Sequence, residues 1–250
     1  MLKPPELDRL SVVLVSTRNP LNIGAAARAM SNFGFSRLQV VSPYESAFRE
    51  ARSAVGAAAV LVSAAQHDSV ASAVAHCSLV VGTTAVRTRN LRHPLRRLED
   101  GARLIRGRLR TSRVALLFGS EKFGLSNDDL SHCHWLLRIP TSEENISMNL
   151  GQAVAVCLYE LIRDSKAPAA AGKTPLAAAV EIERITQMLA EALRESGFLD
   201  RRLVGDSAQR IRRLVRRLNL PRQDAVMWLG IFRQIVWKLR HPERQPPPGN

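Results

Sequence analysis

Apolar positions follow two regimes along the chain. Up to Arg163 they come in short runs: Val12 to Ser16, Leu38 to Val41, Leu79 to Gly82, Val114 to Phe118 and Leu136 to Ile139. Runs of this length, rich in Val and Leu and each followed by a Gly, Pro or small-polar loop, predict buried parallel strands. Helical periodicity fills most of the gaps, as in Ala25 to Phe33, stopped by Gly34, and Leu150 to Leu161. Such alternation predicts an α/β domain with a mainly parallel sheet over residues 1–164. Residues 165–175, rich in Ala, Pro and Gly, read as a linker. Beyond it the pattern is helical only. Leu176 to Ser196 is one helix, and Gln209 to Leu218 is a second with Ile211, Leu214, Val215 and Leu218 at i, i+3, i+4, i+7. Gln223 to Leu239 is a third, with Val226, Leu229, Phe232, Val236 and Leu239 as its stripe. The expectation for 176–250 is a small helical module.

Composition narrows the setting. No apolar run approaches the roughly 20 residues of a membrane span. The N-terminus, Met1-Leu-Lys-Pro-Pro-Glu, lacks the apolar segment of a secretory signal. Cys77, Cys133 and Cys157 are widely spaced and form no CxxC pair, which supports neither a disulfide framework nor a zinc knuckle. His132 and His134 have no acidic partner at metal spacing, so no metal is expected. The chain reads as cytoplasmic, with no membrane partner.

Charge adds a partner. The formal charge is +14, and 31 arginines stand against 5 lysines. A GC-rich coding sequence gives the same excess, and acidic lipid surfaces also attract basic proteins. Clustering says more. Arg87 to Arg113 holds 10 Arg against 2 acids, and Arg201 to Arg244 holds 12 basic residues against 3 acids. Two basic blocks suggest two surfaces contributing to one polyanion site, with nucleic acid the expected partner. Arg18, Arg87, Arg89, Arg212, Arg213, Arg216 and Arg217 are the candidate nucleic-acid contacts.

The candidate chemistry lies in three loops at strand ends. Phe118-Gly-Ser-Glu-Lys-Phe-Gly-Leu125 is a glycine-bracketed loop carrying one acid, Glu121. Ile146-Ser-Met-Asn-Leu-Gly-Gln-Ala-Val154 is a small-polar loop entering an apolar helix. Asn19-Pro-Leu-Asn-Ile-Gly-Ala-Ala-Ala-Arg-Ala-Met30 is a third polar loop entering a helix. Together they make a backbone-lined pocket for a small ligand. Taken singly, Asn22, Ser147 and Asn149 read equally as helix caps, Glu121 as a structural acid, and Arg28 as a solvated helix position. No G-x-G-x-x-G follows a strand, so a conventional dinucleotide site is not supported.

Three such motifs in this order resemble the SPOUT-class, TrmH-type RNA 2′-O-ribose methyltransferases. The helical extension is most similar to the TrmJ branch of that family. The resemblance implies a trefoil-knotted sheet, a homodimer with the active site shared across subunits, and S-adenosylmethionine as methyl donor, with S-adenosylhomocysteine as product. It implies a cofactor site of Thr83, Thr84, Ala85, Gly119, Ile139, Ile146, Ser147 and Met148. Asn22, Arg28, Glu121, Ser147 and Asn149 become the catalytic set, with Arg28 promoting attack by a ribose 2′-hydroxyl. Guanidinium is a poor general base, so orienting the hydroxyl and stabilising its developing charge is the role it fits. The branch implies tRNA as partner, methylated at cytidine or uridine 32 of the anticodon loop. Ribosomal RNA as substrate, and a non-catalytic RNA-binding protein of this fold, stay open at this point.

Overall fold

All seven strands run parallel to their sheet neighbours. The computed structural model describes residues 2–53, 59–85, 93–163, 175–199 and 204–243. Within them the strands are β1 (Leu10–Val15), β2 (Arg37–Val41), β3 (Ala65–His67), β4 (Leu79–Thr83), β5 (Leu95–Arg97), β6 (Val114–Phe118) and β7 (Trp135–Arg138), in spatial order β3-β2-β1-β6-β4-β7-β5. The helices of this part are α1 (Pro4–Leu7), α2 (Pro20–Asn32), α3 (Glu45–Ser53), α4 (Ala59–Val62), α5 (Val70–Ala73), α6 (Leu98–Leu109), α7 (Asn127–Ser131) and α8 (Leu150–Arg163).

Every residue of β1 is buried because both faces of the sheet are covered. Val12 and Leu14 face the larger core with Ile23, Met30, Val154 and Leu158, while Val13 and Val15 face the opposite core with Val70, Val74 and Leu130. Two strands carry no apolar run. Ala65-Gln-His67 and Leu95-Arg-Arg97 are the edges of the sheet, exposed or half-buried, so their pairing is set by backbone and neighbours rather than by side-chain pattern. Helix α2 also begins earlier than Ala25. Pro20 occupies its first turn, and the Asn19 side chain accepts the Leu21 N–H at 2.9 Å. Asn19 is therefore the cap, and Asn22 is left inside the helix with its carboxamide available for other work. The small residues of α2 let α8 approach closely: a Cβ on Gly151 would lie 2.6 Å from that of Ala25.

The remaining helices are α9 (Ala179–Glu195), α10 (Val204–Arg217) and α11 (Arg222–Arg240). They share a core of Ile182, Ile185, Ile211, Val215, Ala225 and Phe232. They also dock on the sheet domain. The Ala179 and Val180 N–H groups donate to Cys77 and Ala75 carbonyls at 2.7 and 2.9 Å, and Arg212 donates to Ser131 Oγ at 2.8 Å. Docking on a second surface changes which face of α10 is wet. Ile211 and Val215 are buried as expected, but Leu214 and Leu218 are half exposed, and Arg213 and Arg216 are buried in their place. In α11, Phe232 and Val236 are buried, whereas Val226 and Leu239 face solvent. Among the described residues no helix is long and apolar enough to cross a membrane.

Candidate active site

The strand order reverses beside β1, which lies between β2 and β6, and ligands of open parallel sheets sit outside the carboxyl ends of the strands at such a point. A cleft of about 650 Å³ opens there, walled by the loops after β4, β6 and β7. The loop after β6 folds back on itself. Gly124 N–H donates to the Ser120 carbonyl at 2.8 Å, and Gly124 takes a φ of 66°, a conformation suited to glycine. A Cβ on Gly119 would lie 2.1 Å from the Gly124 carbonyl carbon. Glycine at 119 is thus required by close backbone approach.

Glu121 leaves this loop toward α2 and ties the three motifs together. Its carboxylate accepts the Asn22 carboxamide N–H at 3.0 Å and the backbone N–H groups of Arg18 and Asn19 at 3.3 and 3.4 Å. Asn22 Oδ1 in turn accepts from Asn149 Nδ2 at 2.7 Å, and Asn149 Oδ1 accepts the Gln152 N–H at 3.3 Å. Asn149 is both a cap of α8 and a member of the relay. Burial alone would raise the Glu121 pKa, but the bonds from Asn22, from its own N–H and from those of Arg18 and Asn19 outweigh it and hold the carboxyl below the usual range. The group is ionised at neutral pH. Because an ionised carboxylate only accepts, it fixes the donor end of Asn22 toward itself and leaves the Asn22 oxygen for Asn149.

The other expected cofactor residues gather around the same space. Gly119, Ile139, Ile146, Ser147, Met148, Thr83, Thr84 and Ala85 all line the cleft. The Thr83 hydroxyl is committed to the Leu117 carbonyl at 2.8 Å, and the Thr84 N–H to Leu137 at 3.0 Å. These two bonds set the cleft wall, and Ser147 stands exposed on the opposite side. A backbone-lined end, an apolar stretch of Leu125, Ile139 and Ile146, and polar groups at the far edge suit a ligand with both a heterocycle and a charged tail. S-adenosylmethionine has that character.

Arg28 is not brought to the cleft of its own chain. It is exposed on α2 and makes no hydrogen bond or ion pair with the described residues. The expected RNA contacts divide. Arg18 is exposed, with its guanidinium 5.4 Å from the centre of the Tyr44 ring. Arg217 is exposed, and its Nε donates to the Arg213 carbonyl at 3.3 Å. Arg212 is held by Glu183 at 3.2 Å and by Asp128 at 3.3 Å, while Arg213 and Arg216 are buried, so as placed these three present no free guanidinium to a phosphate. Periodicity misjudged them because it assumes one buried stripe, and α10 is packed on two sides. Arg87 and Arg89 lie outside the described residues. Sequence reasoning passed over Lys122, Phe123, Thr141, Glu144 and Asn145, which also line the cleft. Phe123 carried a signal, an aromatic ring inside a glycine-bracketed loop. The loop containing Thr141, Glu144 and Asn145 carried none.

Comparisons with known proteins agree with this geometry. The family model described as the SpoU rRNA Methylase family matches residues 9–159. The tRNA (cytidine/uridine-2′-O-)-methyltransferase TrmJ of Sodalis glossinidius is 35% identical over 251 residues, covering 97% of this chain and 95% of that protein. The TrmJ of Pectobacterium atrosepticum is 35% identical over 236 residues, covering 92% and 97%. The crystal structure of TrmJ from Z. mobilis ZM4 superposes with a TM-score of 0.77 at 30% identity, covering 89% of this chain and 97% of that one. With the parallel sheet, the reversal-point cleft and the three linked motif loops, these matches place the chain in the SpoU methylase family of RNA methyltransferases.

Proposed function

We propose that this chain transfers a methyl group from S-adenosylmethionine to the ribose 2′-hydroxyl of a pyrimidine nucleotide in tRNA, at position 32 of the anticodon loop. The observation that carries the reading is the Glu121–Asn22–Asn149 relay, which joins all three motif loops beside a cleft with a backbone-lined end. The tRNA substrate rests on the likeness to TrmJ proteins, which spans nearly the whole of both chains. Residues 1–164 act as the methyltransferase domain and 176–250 as an RNA-binding module, joined through 165–175.

The cofactor supplies an electrophilic methyl group on a sulfonium. Gly119, Ile139, Ile146 and Met148 would hold its nucleoside part, and Thr83 to Ala85 would close the wall. Asn149 and Ser147 would orient the acceptor ribose by hydrogen bonds. With the cofactor bound, transfer of its methyl from sulfur to the ribose oxygen would release the hydroxyl proton to an RNA phosphate or to water. Arg28 stabilises the developing alkoxide charge. Its outward position in one chain fits an arginine that acts in the cleft of a second copy, so the working unit is a homodimer.

The test is methyl transfer from labelled S-adenosylmethionine to separate tRNA and rRNA pools, followed by digestion to nucleosides. The proposal expects 2′-O-methylcytidine or 2′-O-methyluridine from the tRNA pool. Label in rRNA alone overturns the substrate, label on a base overturns the chemistry, and RNA binding without label favours a non-catalytic protein.

A further inference from the structure

Two exposed aromatic rings lie on loops tied to Glu121, Phe123 in the lining of the cleft and Tyr44 on the loop after β2, and neither belongs to the hydrophobic core clusters. Phe123, in the loop after β6, is 63% exposed, with Lys122 Nζ 5.1 Å from its ring centre. Tyr44, in the loop after β2, is 57% exposed, with the Arg18 guanidinium 5.4 Å from its ring centre. Both pairs flank Glu121. Lys122 and Phe123 follow it directly in the chain, and the Arg18 N–H donates to its carboxylate at 3.3 Å. The Tyr44 loop is tied to the same strand end, its N–H donating to the Thr17 carbonyl at 3.3 Å. The backbone bends sharply to present Arg18 and Tyr44. Ser16 and Ser42, just after β1 and β2, take φ of 52° and 42°, left-handed conformations that cost a non-glycine residue energy.

A large ring left in water loses the apolar burial that normally keeps Phe and Tyr inside. Here each ring is paired with a cation. An aromatic face beside a positive charge matches one unpaired nucleotide, the ring taking the base by stacking and the cation taking the flanking phosphate. A base in a single-stranded loop can be splayed out onto such a ring, whereas a base inside a duplex cannot.

We infer that Tyr44 and Phe123, with Arg18 and Lys122, form a stacking platform that binds unpaired nucleotides of the substrate RNA at the entrance to the cleft. The inference rests on the proposed methyltransferase reading for its substrate. Stacking tolerates any base, so the platform supplies affinity and register for loop RNA and leaves choice of base to other contacts.

The test compares Tyr44→Ala, Tyr44→Leu, Tyr44→Phe and Phe123→Ala in the full chain, measuring affinity for a fluorescent stem–loop RNA, affinity for S-adenosylmethionine, and kcat and KM for methyl transfer. The alanine and leucine variants are expected to weaken RNA affinity about ten- to a hundredfold each, the range for losing one stacked base. The effect should fall on KM, with S-adenosylmethionine affinity unchanged and Tyr44→Phe close to wild type. RNA carrying 5-iodouridine in its loop should photocrosslink to Tyr44 or Phe123. The platform is overturned if Tyr44→Leu binds RNA as tightly as wild type, or if the Phe123→Ala loss appears equally in S-adenosylmethionine affinity, which would give that ring to the cofactor. If wild type binds loop RNA through these rings yet transfers no methyl group, the methyltransferase reading fails and the platform stands. If wild type methylates RNA and no ring variant changes its RNA affinity, the platform alone fails.

Discussion

The cleft and the α10 interface handle polar residues in opposite ways. Around the cleft, a carboxylate and two carboxamides form a chain in which each donor has an acceptor. At α10, the Arg216 guanidinium is 2% exposed, its Nε and Nη1 have no hydrogen-bond partner among the described residues, and burial holds its pKa down to about 10. The histidines beside it are neutral. Burial, together with the charges of Arg212 and Arg216, pushes His132 down to about 3, and burial with Arg216 does the same to His134. The first arrangement specifies geometry, because each partner fixes the orientation of the next around the buried Asn22. The second holds two surfaces together with charge that is only partly compensated. A polar cluster in a sequence therefore has no fixed meaning: pairing, rather than number, decides whether it organises a site or strains an interface.

The sharpest way to break the comparison is at Arg28, which lies outside both networks. Arg28→Ala should lower methyl transfer about 10²–10³-fold, the scale for removing one group that stabilises developing charge. Melting temperature and S-adenosylmethionine affinity should stay as in wild type. Full turnover in this variant would remove Arg28 from the mechanism.

Acid should strain the α10 side first. His132 and His134 stay neutral in the fold down to about pH 3, while the unfolded chain takes up protons below its ordinary histidine pKa near 6.5. Their depressed pKa values mean that stability is lost as pH falls from about 6.5 toward 3, by roughly 3 kcal/mol per pH unit for the pair in mid-window. Glu121 remains ionised throughout the upper part of that range and contributes no slope there. Urea unfolding at pH 7, 6 and 5 measures this, and His132→Leu should lower the slope by about 1.4 kcal/mol per pH unit in mid-window. A flat profile would mean that these histidines are not buried as neutral groups.

Glu121→Ala removes the acceptor for three donors at once, two of them open to water, and should destabilise the fold by about 1 kcal/mol, the net worth of a typical hydrogen bond. It should also weaken S-adenosylmethionine binding, because the glycine loop loses its tie to α2. Calorimetry on this variant separates a relay that shapes the cleft from one that only caps a loop.

The smallest effect is expected at Arg216. Arg216→Met replaces a partly uncompensated buried charge by an apolar chain of similar length, and such changes are often neutral or stabilising. Thermal unfolding should show no loss, with a gain of about 1 kcal/mol as the expected limit. A large loss would show that the charge is fully paired at this interface.

Much of the molecule was legible in the chain itself. The strands β1, β4, β6 and β7 announced themselves because their runs are almost wholly apolar and mostly buried, and β2 did so through Leu38, Val40 and Val41. The edge strands β3 and β5 did not, because an exposed edge needs no apolar residue. Asn22 was legible as a site residue only through its motif. Its local reading as a cap was displaced by Asn19 and Pro20, which start α2 one turn earlier. Arg212, Arg213 and Arg216 looked like a wet basic face, since helical periodicity carries no information about a second packing partner. The relay itself joins residues about 100 apart in the chain and was invisible until the sheet brought them together.

The most direct measurement is to locate the methyl group on a single unmodified tRNA transcript, comparing wild type with Asn22→Ala at saturating S-adenosylmethionine. The account predicts one labelled pyrimidine ribose in the anticodon loop for wild type, and a large loss of that label for Asn22→Ala, whose relay is cut between Glu121 and Asn149. Label elsewhere in the tRNA, or equal labelling by the two proteins, would contradict it.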